Sequence, residues 1–333
     1  MTARERVIAA LKHETTDYTP YYIEMCSVTM QAFTEKYGVK KEEFCDYANS
    51  HLEKINYNGG EYIAENLFRD EFGAVWDRSN GNDIGHVRTF LLTKPDLSNF
   101  IMPRVDKDQI KNNTEKILNN GRNTFKMGRI GALLFERSWS LRSMEEILVD
   151  FYEEEDFVHE LFARITDHNV AVINEALQYP LDGFYLGDDY GQQQGMIMGP
   201  VLWRKYIKPC LARTFAPIKK KGLPIIFHSC RNNLDILDDM VEIGLDCYHT
   251  VQPEIYNLSE LKKRFSGRLA FFGAISTQQF LPYAKPDEVK AKIKETISIL
   301  GVNGGYICSP THQVPGDVPP ENVMAMIEVL SGR

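Results

Sequence analysis

The chain has 333 residues, 43% hydrophobic and 25% charged, a globular composition that excludes disordered and fibrous classes. Its 38 basic residues stand against 46 acidic ones, a net charge of −8, so the basic footprint of a nucleic-acid binder is missing. There is no apolar run of the roughly 18 residues a membrane helix needs, and Met1-Thr2-Ala3-Arg4-Glu5-Arg6 lacks the apolar stretch of a signal peptide, so a cytoplasmic protein without nucleic-acid or membrane partners is expected.

In chain order, Tyr21-Tyr22-Ile23 reads as a first strand, Ala74-Val75-Trp76 or a neighbour as a second, and Met127-Gly128-Arg129-Ile130-Gly131 as a third. The polar stretch Thr93 to Pro103 is the clearest compositional break; it links an N-terminal elaboration to the main body of one domain, residues 1–333. Glu153-Glu154-Glu155-Asp156 reads as a solvated helix start, favoured by the helix dipole. A helical stripe of Val158, Leu161, Phe162, Ile165, Val172 and Ala176 follows, interrupted where Asn169 falls on the same face. The second half then alternates. Apolar runs at Asp182–Gly187, Leu223–Phe227, Leu245–His249, Leu269–Gly273 and Gly305–Cys308 are each followed by a helical stretch, at Pro200–Lys221, Leu234–Ile243, Leu258–Phe265, Pro286–Leu300 and Pro320–Leu330. Strands alternating with helices argue for a parallel sheet. Five such units plus the three upstream strands make eight, the number a closed (β/α)8 barrel needs. The expected fold is therefore α/β, a (β/α)8 TIM barrel with an N-terminal helical elaboration, the alternative being a doubly wound open sheet.

In a barrel the active site lies at the carboxyl ends of the strands. Those ends carry Glu24, Asp188 with Asp189, His228 with Cys230, His249 with Gln252, Ser276, and Cys308 with His312. The six cysteines are scattered without framework spacing and read as reduced thiols, any special one being a metal ligand or nucleophile. His228-Ser229-Cys230 puts an imidazole and a thiol, both good zinc ligands, at a pocket mouth. Cys308, at the end of the last strand, or His312, four residues further, can supply a third ligand. In Gly187-Asp188-Asp189-Tyr190-Gly191 the paired carboxylates can orient a substrate or accept a proton, or else cap a helix; neighbours point to different sides, so one of them faces the pocket. Arg137, after an apolar run and beside Glu136, can bind a carboxylate or phosphate, the alternative being an internal ion pair that ties a loop. There is no Gly-x-Gly-x-x-Gly, Walker loop or Gly-x-Ser-x-Gly to support a nucleotide-binding or serine-hydrolase reading.

Several segments together resemble the uroporphyrinogen decarboxylase superfamily: Arg4 to Leu11 with Asp17 and Pro20, Phe135 to Arg142, Gly187 to Gly191, Phe227-His228-Ser229-Cys230, Val251-Gln252-Pro253-Glu254, and Gly304-Gly305-Tyr306-Ile307 running to Asn322. The family fold is a distorted (β/α)8 barrel. Its decarboxylases carry an Arg-Gln-Ala-Gly-Arg-Tyr motif after the first strand, whereas Tyr21 to Met30 here holds no arginine and does hold Glu24. The other branch, the corrinoid-linked methyltransferases, holds zinc with a His-x-Cys pair and a later cysteine. His228 and Cys230 match that pair. Cys308 supplies the later element, although alignment on Ser309-Pro310 puts His312 there, and Arg231 stands where many relatives have glycine.

The resemblance implies a zinc-dependent methyltransferase that moves a methyl group between a small molecule, a methoxy compound or a thiol, and a corrinoid. The chain has no Asp-x-His-x-x-Gly corrinoid signature, so the corrinoid is expected on a partner protein. The implied metal ligands are His228, Cys230 and Cys308. Asp188, Asp189 and His312 are the catalytic candidates, and Glu24, Tyr190, Gln252 and Arg137 the substrate-binding ones. A porphyrinogen carboxy-lyase and a non-catalytic ligand-binding protein of the same fold are the alternatives.

Overall fold

A computed structural model describes residues 1–79 and 85–332. Seven strands form a parallel sheet: β1 (Leu52–Asn56), β2 (Phe125–Ile130), β3 (Gly183–Gly187), β4 (Ile225–His228), β5 (Cys247–Val251), β6 (Ala270–Ile275) and β7 (Tyr306–Pro310), hydrogen-bonded in that order. β3, β5, β6 and β7 are buried at every residue. A parallel strand covered on both faces reads as a continuous apolar run, which is why these strands stand out in the sequence. The chain has the α/β fold of a distorted (β/α)8 barrel.

Two compact units can be distinguished. One comprises Met1–Glu53, Arg122–Phe125 and Asp246–Arg333. In it β5, β6 and β7 pair in parallel. The expected strand at Tyr21–Ile23 shortens to a parallel bridge between Tyr21 and Cys308, and a second bridge joins Met25 to Val314. The Tyr22 amide donates to the Cys308 carbonyl, and the His51 amide to the Tyr21 carbonyl. Asn257 caps helix Leu258–Phe265 by accepting from the Ser259 and Glu260 amides. Pro286 and Pro320 open helices Pro286–Leu300 and Pro320–Ser331, where a missing N–H costs nothing. The opening motif is structural: the Arg6 guanidinium forks onto both carboxylate oxygens of Asp17, at 2.6 and 2.7 Å.

The other unit comprises Lys54–Gly121 and Lys126–Leu245. Here β2, β3 and β4 pair in parallel, with Gly128 opposite Phe184 and Phe184 opposite Ile225. Ala74–Trp76 does not supply a barrel strand. Val75–Asp77 lies in an antiparallel four-stranded sheet with Gly60–Ala64, Leu67–Asp70 and His86–Thr89, and Leu52–Asn56 takes the expected place in the parallel sheet. The polar residues Glu53, Lys54 and Asn56 break the apolar run that would have announced β1. Asn169, which interrupts the apolar stripe of helix Glu155–Ala176, is buried, and its side-chain amide donates to the Leu133 carbonyl at 2.5 Å. The expected helix Pro200–Lys221 is interrupted by a π-turn at Trp203–Ile207.

Candidate functional site

His228 ends β4 with its Nε2 3.4 Å from the Cys230 thiol sulfur. The turn carrying the pair is fixed from both sides. The Asn233 side-chain amide donates to the Cys230 carbonyl at 2.9 Å and to the Arg231 carbonyl at 3.2 Å. From the neighbouring segment, the Asp188 amide donates to the His228 carbonyl and the Tyr190 amide to the Ser229 hydroxyl. Gly191 packs so closely that a β-carbon there would lie 2.5 Å from the Cys230 carbonyl oxygen. Arg231 is left-handed, at φ +65°. That backbone favours glycine, so arginine is held here at a cost.

The two aspartates have separate roles. Asp189 turns toward the pair: its Oδ1 accepts from the Cys230 amide at 2.8 Å and lies 3.6 Å from His228 Nε2. Asp188 is fully buried and turns the other way, onto the start of helix Phe135–Arg142. It accepts from the amides of Leu134, Phe135 and Glu136 at 3.2, 2.7 and 2.8 Å. Asp188 is thus a helix cap supplied by a neighbouring strand, not a group facing substrate. Burial lifts its carboxyl to about 7, against the pull of those amides. Glu136 is raised well above the usual carboxylate range, first by burial and then by the charges of Asp189 and Asp188. Burial, and then the charges of Asp189 and Glu136, push the Cys230 thiol up. This concentration of acidic groups around a His–Cys pair is electrostatically suited to a cation.

Two substrate-binding expectations are corrected. Tyr190 is fully buried, stacked on Phe227 and edge-on to Trp203, so it cannot touch substrate. Its hydroxyl is drawn toward Asp188 without forming a hydrogen bond of normal geometry. Arg137 forms the internal ion pair. Its guanidinium bonds Asp70 and, at 3.2 Å, Glu71, and lies 4.2 Å above the Phe72 ring. Glu136, one residue earlier, is the acidic neighbour the sequence reading did not single out; its signal was its position in the first turn of a helix entering the site.

In the other unit, Glu24 accepts from the Gln313 side chain at 3.0 Å. Gln252 and Ser276 are buried, and the Ser276 hydroxyl bonds Glu254. Cys308 is fully buried within β7, and burial pushes its thiol to about 12. His312 is half-buried, in the loop beyond β7.

The uroporphyrinogen decarboxylase (URO-D) family profile matches residues 138–332, more than half of the chain. The relatives found by sequence include uroporphyrinogen decarboxylases of Legionella pneumophila, 23% identical over 57% of this chain and 52% of theirs, and of Thermus thermophilus, 26% identical over 54% and 50%. The chain therefore spans about half the length of the relatives it matches. Among solved structures, a methyltransferase from Methanosarcina mazei superposes over 100% of this chain and 99% of its own, with TM-score 0.77 and 18% identity. A B12-independent methionine synthase from Shewanella sp. W3-18-1 superposes over 97% and 98%, with TM-score 0.51 and 10% identity. At these identities the likeness is one of fold. The profile match across β3 to β7, which carries the His228–Cys230 turn, places the chain in the uroporphyrinogen decarboxylase family.

Proposed function

We propose that this chain is a zinc-dependent methyltransferase that moves a methyl group between a small molecule, a methoxy compound or a thiol, and a corrinoid carried by a separate protein. The observation that carries the reading is the His228–Cys230 pair. A tetrahedral zinc with ordinary Zn–N and Zn–S bonds sets its nitrogen and sulfur ligands roughly 3.6 Å apart, and His228 Nε2 and Cys230 Sγ stand 3.4 Å apart. This spacing supports a metal held by the pair. Cys308 and His312, the candidates for a third ligand, belong to the other unit.

Bound zinc would supply Lewis acidity, lowering the pKa of a coordinated thiol or polarising an ether oxygen. The protein's own groups do the rest. Asp189 holds the Cys230 turn through the Cys230 amide, and its Oδ1 lies 3.6 Å from the same His228 Nε2 that faces the thiol. Asp188 pins the start of helix Phe135–Arg142 and so places Glu136 beside the pair.

The names of the sequence relatives favour a second reading, cofactor-free decarboxylation of a porphyrinogen. Against it stands the stretch Tyr21 to Met30, which has no arginine to meet a polyanionic tetrapyrrole. Elemental analysis of protein purified without chelator decides first: one zinc per chain is expected, lost in Cys230→Ala and kept in Cys45→Ala. Methylcobalamin should then lose its methyl group to a small thiol in the presence of the wild type only. A metal-free wild type, or turnover of uroporphyrinogen without corrinoid, overturns the proposal.

A further inference from the structure

Helix Met144–Glu153 is apolar on two opposite faces. Ile147 and Phe151 form the inner one, with the Phe151 ring stacked on Phe135 and edge-on to Phe162. Val149 and Tyr152 lie on the outer one, 46% and 78% exposed, on the stripe that starts at Glu145, and half-buried Leu148 borders them. The solvent face of a surface helix is ordinarily polar, so an apolar stripe there marks a face that another molecule covers. The helix cannot turn the stripe inward. The Arg142 guanidinium donates to both carboxylate oxygens of buried Asp150, at 2.8 and 3.2 Å, and the Tyr206 hydroxyl donates to the Phe151 carbonyl at 2.8 Å.

The charge around the stripe has one sign. Glu145, Glu146, Glu153, Glu154, Glu155 and Asp156 are exposed along the helix and just beyond it. Arg142 neutralises Glu146, and Lys205 neutralises Glu155. Glu145, Glu153, Glu154 and Asp156 have no ion pair among the described residues. Such a ring repels nucleic acid and anionic lipid. It also repels a second copy seated on the same face, because a two-fold contact would set the acidic ring against itself.

We propose that the outer face of helix Met144–Glu153 is a docking surface for a separate protein, which meets it with an amphipathic helix whose apolar stripe is bordered by lysine or arginine. Tyr152 is the anchor of this contact, a large ring with a polar tip, and the unpaired carboxylates select and steer the basic partner. A convex helix face without a cleft suits packing of helix on helix rather than capture of a small molecule. Helix Phe135–Arg142, held at its start by Asp188, leads into this surface through Ser143, and its 8 residues span about 12 Å. A partner seated here therefore lies beside the element that carries Glu136. The inference does not depend on the methyl-transfer reading.

Two labelled peptides of about 15 residues, both with leucine on one helical stripe, one with lysine elsewhere and the other with glutamate, test the assignment by fluorescence anisotropy. The wild-type chain should bind the lysine peptide and not the glutamate peptide, and added salt should weaken the binding. Val149→Ser combined with Tyr152→Ser should weaken it about tenfold or more. Glu145→Gln with Glu153→Gln and Glu154→Gln should weaken it and flatten its salt dependence. Tyr62→Ser with Ile63→Ser, at a pair that is 64% and 43% exposed on the antiparallel sheet, should leave it unchanged. No binding by the wild type, equal binding of the two peptides, binding that survives Val149→Ser with Tyr152→Ser, or an equal loss on changing Tyr62 and Ile63 overturns the proposal. Should the double serine variant fail to fold, Tyr152→Lys decides, since a positive charge inside the acidic ring must also weaken the lysine peptide.

Discussion

The carboxylate of Asp189 accepts the Cys230 backbone N–H at 2.8 Å. A group from the end of one strand thereby fixes the turn that follows the next strand, and with it the distance between an imidazole and a thiol. Groups of this kind behind metal ligands typically account for 10- to 100-fold in metal affinity. Asp189→Ala should therefore weaken zinc binding about 10- to 100-fold in a chelator competition while the melting temperature stays within a few degrees. Unchanged affinity would mean that Asn233 and Gly191 hold the turn unaided.

Asp188 behaves differently because it is buried and satisfies three amides at once. Asp188→Ala should cost about 2–4 kcal/mol of unfolding free energy, read from urea denaturation. Asp188→Asn, which keeps one acceptor oxygen, should cost less. Substituting a group that faced substrate would instead leave stability unchanged and slow turnover.

Arg231 occupies a left-handed conformation at φ +65°, next to a proposed ligand. Arg231→Gly removes the β-carbon that makes this backbone costly and should stabilise the fold by up to about 1 kcal/mol. Zinc content should not change. A destabilised glycine variant would show that the arginine side chain makes contacts worth more than the strain.

His51 supplies a pH dependence away from the site. Burial, reinforced by the Arg6 guanidinium, holds its imidazole down at about 4, below its ordinary value of 6.5. The folded state thus binds fewer protons than the unfolded chain between these values, so stability falls as pH drops from about 6.5 to about 4. The loss approaches about 3 kcal/mol across that window. His51→Gln should flatten this part of the stability–pH profile, measured by urea unfolding at pH 7 and pH 5.

The parallel strands of the second half were legible because burial on both faces demands continuous apolar runs, and Gly183–Gly187 and Ala270–Ile275 have no polar residue to blur them. β1 was not legible, since three of the five residues of Leu-Glu-Lys-Ile-Asn are polar, and Val75–Asp77 shows the same local pattern in an antiparallel sheet. The His-x-Cys pair was visible because both donors are two residues apart on one turn.

What sequence alone determined is whatever depends on neighbours along the chain: the order of strands and helices, the caps, and a potential metal pair. Tertiary structure decided which partner each charge meets. Asp188 and Asp189 are adjacent and chemically identical, yet one caps a helix that begins more than fifty residues earlier while the other holds the Cys230 turn. Arg137 was a plausible anion binder by sequence, and folding neutralises it with Asp70 and Glu71. The energy of a charge is set by the groups that replace its water, and those groups come from distant parts of the chain.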